Sequence, residues 1–319
     1  MRALVTGADG FVGQWLLREL LAHGDEVTGV TRGDHTRLTT LPTEAATQIR
    51  WLSADILDLD ALVNAVSEAR PDAIYHLAAQ ASVAESLRDP AGTVDTNVMG
   101  TANLLEATRA KAPEALVVAV GSAEIYGSVE PNELPLNESA PLHPNNPYAG
   151  SKAAAEMVAL QYAQTGWARV LATRSFNHTG PGQSVTFAAA GFAKQCADIT
   201  RGKQAPVLQH GNLSAQRDFL DVRDVASAYR RLGERGESGS VYNVCSGRAV
   251  SMREIVEELI HLVGLPVELR QDPQRMRPVD TPVIVGDPSR IRRDTGWQPQ
   301  LPLLRTLRDL YDYFLKEDG

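Results

Sequence analysis

Tyr148 and Lys152 stand four residues apart at the head of a helical pattern that reaches Gln164, so on a helix they share one face. An ammonium beside a phenol favours the tyrosinate, which predicts a lowered Tyr148 pKa suited to proton transfer near neutral pH. An accidental surface pair is the alternative. With eight tyrosines and only five lysines in the chain, chance seldom sets one four residues ahead of the other. Pro147, just before Tyr148, suits the first turn of a helix. Ser122 is the third member of the constellation. It follows the apolar run 116–120 and Gly121, where a hydroxyl can hydrogen-bond the oxygen of a reacting carbonyl or carbinol. Alone, Ser122 reads as a turn serine; beside Tyr148 and Lys152 it reads as part of a site that moves protons on and off oxygen.

A partner for that chemistry is written at the start of the chain. Ala3-Leu4-Val5-Thr6 leads into Gly7-Ala8-Asp9-Gly10-Phe11-Val12-Gly13 and then a helical run over 14–23. Glycines let the backbone turn tightly and approach a pyrophosphate, and the helix points its free N–H groups at the phosphates. A strand before and a helix after are the context that makes such a turn a dinucleotide site. The spacing is G-x-x-G-x-x-G and not G-x-G-x-x-G. The second strand ends Val30-Thr31-Arg32-Gly33, with no carboxylate for the ribose hydroxyls. Arg32 is placed to meet a 2′-phosphate, so NADP(H) is expected over NAD. Asp34, the nearest acid, reads as a loop residue.

These residues must be held by elements whose order the apolar pattern supplies. Strands are expected at 3–5, 26–30, 49–52, 73–77, 116–120 and 170–174, with helices between them at 61–69 and 101–110. Alternating strands and helices predict a parallel sheet covered on both faces. After Asn177 the alternation weakens, with helices expected near 187–200, 252–263 and 303–314. At 319 residues, 43% hydrophobic and 22% charged, the chain is long and apolar enough for one large α/β unit or two domains. A net charge of −8 argues against a general nucleic-acid or anionic-membrane surface, so phosphate binding must be local. The two cysteines, Cys196 and Cys245, make no disulfide framework and no metal-ligand spacing, and no metal is expected. The first strand starts directly after Met1-Arg2 and no apolar run spans a bilayer, so a soluble, cytoplasmic protein is expected.

Residues 6–13, Leu77-Ala78-Ala79, Ser122 and the Tyr148/Lys152 pair together resemble the extended short-chain dehydrogenase/reductase family, over essentially the whole chain. The resemblance implies a doubly wound α/β fold: a parallel Rossmann sheet of about seven strands binding NADP(H), and a smaller C-terminal α/β lobe for a nucleotide sugar. Its boundaries are 1–176 and 177–319, some segments of the second returning to the first. By the same resemblance Tyr148 is the acid/base, Lys152 lowers its pKa and holds the nicotinamide ribose, and Ser122 positions substrate. Gly7, Gly10, Phe11, Val12, Gly13, Arg32, Leu77, Ala78 and Ala79 line the cofactor site. Asp55-Ile56 resembles the adenine-binding pair, a surface turn Asp being the alternative.

Three longer blocks resemble the GDP-sugar branch, specifically GDP-4-keto-6-deoxymannose reductases: the segment 174–183, Tyr242-Asn243-Val244-Cys245-Ser246-Gly247, and the stretch from Arg275-Met276-Arg277-Pro278 to Trp297. They imply that Asn177 holds the diphosphate and that Arg217 and Arg277 neutralise phosphates. Lys194 reads equally as a ligand contact or a surface ion pair, and His178 equally as a packed residue or a ligand. The implied reaction is reduction of GDP-4-keto-6-deoxy-D-mannose to GDP-D-rhamnose, with GDP-6-deoxy-D-talose as the other stereochemical outcome. A GDP-mannose 4,6-dehydratase is the rival, since Glu124 stands where those enzymes carry an extra acid/base. Ala123, where they carry Ser or Asp, and the loop Thr179-Gly180-Pro181-Gly182-Gln183, without paired arginines, speak against it. An epimerase fits Arg32 less well, and a non-catalytic cofactor sensor would not need Tyr148, Lys152 and Ser122 together. The resemblance also implies a homodimer through the Tyr148/Lys152 helix and the helix near 101–110.

Overall fold

Apolar runs that lack in-out alternation become strands buried on both faces, which is what a parallel sheet between two helix layers demands. The computed structural model describes residues 1–33, 38–275 and 281–316. The first half runs β1 (Arg2–Thr6), α1 (Phe11–Ala22), β2 (Glu26–Thr31), α2 (Thr43–Ala46), β3 (Arg50–Ser53), α3 (Leu59–Ala69), β4 (Ala73–His76), α4 (Val83–Arg88), α5 (Pro90–Val94), α6 (Gly100–Lys111), β5 (Leu116–Ser122), α7 (Pro147–Gln164) and β6 (Arg169–Ser175). The second half runs β7 (Asn177–Thr179), α8 (Ala188–Thr200), β8 (Val207–His210), β9 (Gln216–Asp221), α9 (Val222–Arg235), β10 (Val241–Val244), β11 (Ala249–Ser251), α10 (Met252–Val263), β12 (Glu268–Gln271), β13 (Val283–Ile284), α11 (Ser289–Thr295) and α12 (Leu303–Lys316).

The main sheet has seven parallel strands in the order β10-β6-β5-β4-β1-β2-β3. Its strand order reverses between β1 and β4, and the crevice at that reversal is where such sheets take ligands. One face is covered by α1 and α9, through Leu16, Leu17 and Leu20 on the first and Val225, Tyr229 and Leu232 on the second. The other is covered by α3, α6 and α7, through Leu62, Val66, Leu104, Leu105, Ala159 and Tyr162. Each fully buried Leu here contributes about 1.5–3 kcal/mol relative to exposure.

The seventh strand is absent from the apolar pattern. β10 lies inside a block read as substrate-side, and its Asn243 breaks the apolar run. That side chain is buried but satisfied: Oδ1 accepts from the Tyr126 hydroxyl at 2.7 Å and Nδ2 donates to Leu136 O at 2.8 Å. Helix α9, also absent from the pattern, packs on α1, and Ile291 and Trp297 join the same core. The polypeptide beyond residue 221 thus returns to the first sheet before completing the lobe.

The lobe has its own core, in which Phe192 and Ile199 of α8, Ile255 and Leu259 of α10, and Leu307, Leu310 and Phe314 of α12 meet. Strand β9 centres its small sheet, antiparallel to β11 and parallel to β7 and β13. Cys196 and Cys245 are both buried free thiols. Among the described residues no helix is long and apolar enough to cross a membrane.

Candidate active site

The glycine turn closes β1 beside the reversal of strand order. Gly7 has φ +66°, and a Cβ there would lie 2.8 Å from Ala78 N, so the turn admits no side chain against the strand-β4 exit. A Cβ on Gly13 would come within 2.3 Å of Gly7 O and 2.7 Å of Ala8 O. Gly10 is the N-cap of α1 and no side chain caps the helix, which leaves its first N–H groups for an anion. Leu77 N–H donates to Thr6 O and Ala78 N–H to Thr6 Oγ1, which closes Leu77, Ala78 and Ala79 around the turn. Arg32 is exposed directly after β2. Asp34 and Arg277 lie outside the described residues. The turn is therefore lined by small residues, and an exposed guanidinium follows the end of β2.

Three other cofactor-side residues are placed less simply. One Asp55 oxygen accepts from Leu57 N–H at 2.9 Å, so the carboxylate is partly engaged in its own turn. Ile56 is buried beneath Gly100. Phe11 and Val12 pack at the edge of the first core, and the Phe11 ring stacks on His178, 6.2 Å between centroids and 11° between planes. His178 also bonds Phe176 O through Nδ1, and burial lowers its pKa.

Ser122, Glu124, Tyr148 and Lys152 converge at the carboxyl end of β5. Ser122 is the last residue of that strand; its hydroxyl accepts from Glu124 N–H at 3.2 Å and is near enough to the Tyr148 phenol to favour its ionised form. Asn146 caps α7 by accepting from Ala149 N–H, and Pro147 opens the helix. Tyr148 N–H is held by Ser86 Oγ at 3.1 Å. One turn later Lys152 donates from Nζ to Val120 O at 2.9 Å.

The expected depression of the Tyr148 pKa is reversed. Burial pushes the phenol up to about 12, the nearby Glu124 charge adds to that, and Ser122 opposes it. Lys152 is itself pulled down, to about 8, by its own burial, while its ammonium is engaged by the strand carbonyl. Burial thus favours the protonated phenol over the tyrosinate. A protonated phenol and a hydroxyl on one oxygen-sized site can polarise a carbonyl and then protonate the alkoxide formed from it.

The lobe brings further residues toward this edge. Asn177 is exposed on β7, and its register partner on β9 is Phe219, two residues beyond Arg217. Arg217 is buried, with Nη1 donating to Thr281 O at 2.7 Å and Gln216 O at 2.8 Å. Lys194 is bound to both oxygens of Asp198 at 2.7 Å, one turn along α8.

Two positioning contacts have no local signal. Gln14 Oε1, buried in α1, accepts from the N–H groups of Thr39, Thr40 and Leu41, which ties the chain after Arg32 back to the glycine-turn helix. Glu156 and Arg174 form a buried two-point ion pair, 2.7 and 3.0 Å, joining α7 to β6. Gln14 is 25 to 27 residues from its partners, a separation no periodicity reports. Glu156 does continue the Tyr148, Lys152 four-residue step, so its inward face was readable although its partner was not.

The GDP-mannose 4,6 dehydratase family model matches residues 4–310. A GDP-6-deoxy-D-mannose reductase of Pseudomonas aeruginosa is 42% identical over 308 residues, 96% of this chain and 95% of that one. A UDP-glucose 4-epimerase of Mycolicibacterium smegmatis is 32% identical over 98% of each chain. Among solved structures, RMD from Pseudomonas aeruginosa complexed with NADPH superposes with a TM-score of 0.85 at 38% identity over 99% of both chains. With the match running from the first strand into the last helix, the chain belongs to the GDP-mannose 4,6 dehydratase family, on the extended short-chain dehydrogenase/reductase fold.

Proposed function

We propose that this protein reduces the 4-keto group of GDP-4-keto-6-deoxy-D-mannose with NADPH, forming GDP-D-rhamnose. The observation that carries the reading is the meeting of Ser122, Tyr148 and Lys152 at the carboxyl end of β5, in a chain similar to a GDP-6-deoxy-D-mannose reductase. Reduction of a ketone calls for an acid at this point, and the Tyr148 phenol can serve as one. Similarity to a reductase at 42% identity, and to a reductase structure holding NADPH, supports the same direction. Gly7, Gly10 and Gly13 fit a pyrophosphate and Arg32 fits a 2′-phosphate. Bound NADPH would supply the hydride to carbon 4 of the sugar. Ser122 holds the carbonyl oxygen, Tyr148 delivers its proton to that oxygen, and Lys152 holds the nicotinamide ribose and favours the tyrosinate left behind. Leu77, Ala78 and Ala79, with Phe11, Val12, Asp55 and Ile56, complete the cofactor walls.

The GDP-sugar lies between the carboxyl edge of the main sheet and the lobe of residues 177–319. Asn177, Arg217 and Arg277 bind its diphosphate. A cytoplasmic homodimer is the proposed working form.

Glu124 favours a second reading, GDP-mannose 4,6-dehydration, because its charge reaches the Tyr148 phenol. Two reactions separate the readings. Purified protein is given GDP-mannose in one, and GDP-4-keto-6-deoxy-D-mannose with NADPH in the other. One NADPH oxidised per sugar, in the second alone, is the expected result. Conversion of GDP-mannose without net NADPH loss would replace the reductase with the dehydratase. The carbon-4 coupling constants of the product distinguish GDP-D-rhamnose from GDP-6-deoxy-D-talose.

A further inference from the structure

A path of buried hydrogen bonds runs from the glycine turn to the catalytic helix, and donor and acceptor bookkeeping sets its direction. Thr101 Oγ1 donates to Asn97 O at 2.7 Å, which uses its one hydrogen. Facing His76 Nε2 at 3.1 Å, that oxygen can then only accept, so Nε2 is the protonated ring nitrogen. His76 Nδ1 is therefore the acceptor, and its donor is Thr6 Oγ1 at 2.8 Å. Thr6 Oγ1 accepts in turn from Ala78 N–H at 3.2 Å. On the far side Asn97 Nδ2 donates to Ser151 Oγ at 2.8 Å, and Ser151 donates to Tyr148 O at 2.8 Å.

All of these side chains are buried: Thr6 is fully buried, His76 and Thr101 are 5% exposed, and Asn97 and Ser151 are 2% exposed. Asn97 sits in the single wide π-helical turn Asp95–Met99, a distortion of the kind found at functional sites. It grips Gln80 as well, donating to its carbonyl and accepting from its N–H. Burial, with the Lys152 charge adding to it, holds His76 down to about 3. It therefore stays neutral, as the path requires. A second proton, on Nδ1, would meet the Thr6 hydroxyl hydrogen head on.

We propose that His76 is a positioning residue: its Nε2-protonated imidazole holds the first turn of α7, and with it Tyr148, in register with the backbone that cradles the dinucleotide. The proposal rests on the NADPH-dependent reductase reading. It assigns the two ring nitrogens different duties. The Nδ1 side supports the cofactor turn through Thr6 and Ala78; the Nε2 side supports the proton donor through Thr101, Asn97 and Ser151.

Two half-mimics of the imidazole separate those duties. His76→Asn puts an amide oxygen near the Nδ1 position, keeping the Thr6 bond and losing the Thr101 bond. His76→Gln puts an amide nitrogen near the Nε2 position, keeping Thr101 and losing Thr6. The expected result for His76→Asn is a kcat about tenfold lower with the NADPH dissociation constant within about twofold of the parent. For His76→Gln it is the reverse, about tenfold weaker NADPH binding with kcat within about twofold. Thr101→Val, which keeps side-chain shape, should reproduce His76→Asn and carries the test if that variant does not fold. NADPH binding is read by fluorescence titration without sugar, and kcat with GDP-4-keto-6-deoxy-D-mannose. Parallel losses in both quantities for both variants, or no change in either, overturn the proposal. A parent protein that binds NADPH but leaves the sugar untouched counts against the reductase reading instead, and the NADPH titrations still decide whether Asn and Gln differ.

Discussion

At the scale of the residue, the chemistry depends on which groups keep their protons. The Tyr148 phenol, raised to about 12 by burial, holds its proton across the neutral range. Tyr148→Phe leaves the packing ring and removes the acid. Its kcat is expected to fall by roughly 10²–10⁴-fold, with NADPH titration unchanged within about threefold. A variant with parental turnover would remove Tyr148 from the reaction. Lys152 sets the alkaline side. Burial lowers its pKa from 10.5 to about 8, so the ammonium is lost as pH rises through 8. The plot of kcat/KM against pH should fall above that value, and Lys152→Arg, which stays charged, should lose the limb whatever its absolute rate. The sign for stability is opposite. Between pH 8 and 10.5 the unfolded chain still holds the proton that the folded chain has released, so this group makes folding more favourable as pH rises through that window. Tyr148, Lys152 and Ser122 were legible because helix spacing and a strand end are local facts. Their proton affinities were not, since desolvation depends on everything packed around them.

At the scale of the element, α7 carries the site and is fixed at three depths. Ser86 and Ser151 hold its first turn, Lys152 reaches Val120 O on β5, and Glu156 pairs with Arg174 on β6. Arg174 also donates from Nη1 to the Tyr126 hydroxyl and Glu138 O, so the pair is the centre of a buried polar network. Glu156→Leu would leave that guanidinium without its countercharge in a buried site. A loss of about 3–5 kcal/mol is expected, measured as a shift of the urea midpoint at constant slope. A shift below about 1 kcal/mol would mean that solvent or a neighbour replaces the carboxylate easily. The helix itself was readable from Pro147 at its head and from the Tyr148/Lys152 spacing. Strand β10 was not, because a four-residue strand with a polar centre looks like a loop until Tyr126 and Leu136 are seen to satisfy Asn243.

At the scale of the whole molecule, the homodimer proposed above would form through α7 and α6. Met157 on α7 is 69% exposed and Met99, just before α6, is 50% exposed, a costly display for large apolar side chains on one layer of helices. Sedimentation at micromolar protein should give a dimer, and Met157→Glu should shift it toward the monomer while Tyr148 and Lys152 remain intact; a parent that sediments as a monomer rejects the assembly and leaves the catalytic reading standing. By itself the amino-acid sequence determined the parallel sheet, the glycine turn, the Tyr148/Lys152 face and the Ser122 strand end. Each rests on a local period or a residue's own stereochemistry, and periods of two and 3.6 survive without knowledge of neighbours. Only the tertiary structure decided that burial raises the Tyr148 pKa, that residues beyond 221 return to the first sheet, and that His76 is enclosed between Thr6 and Thr101. Those are properties of burial and of partners tens to hundreds of residues away, and desolvation and hydrogen-bond direction exist only once the chain has brought such partners together.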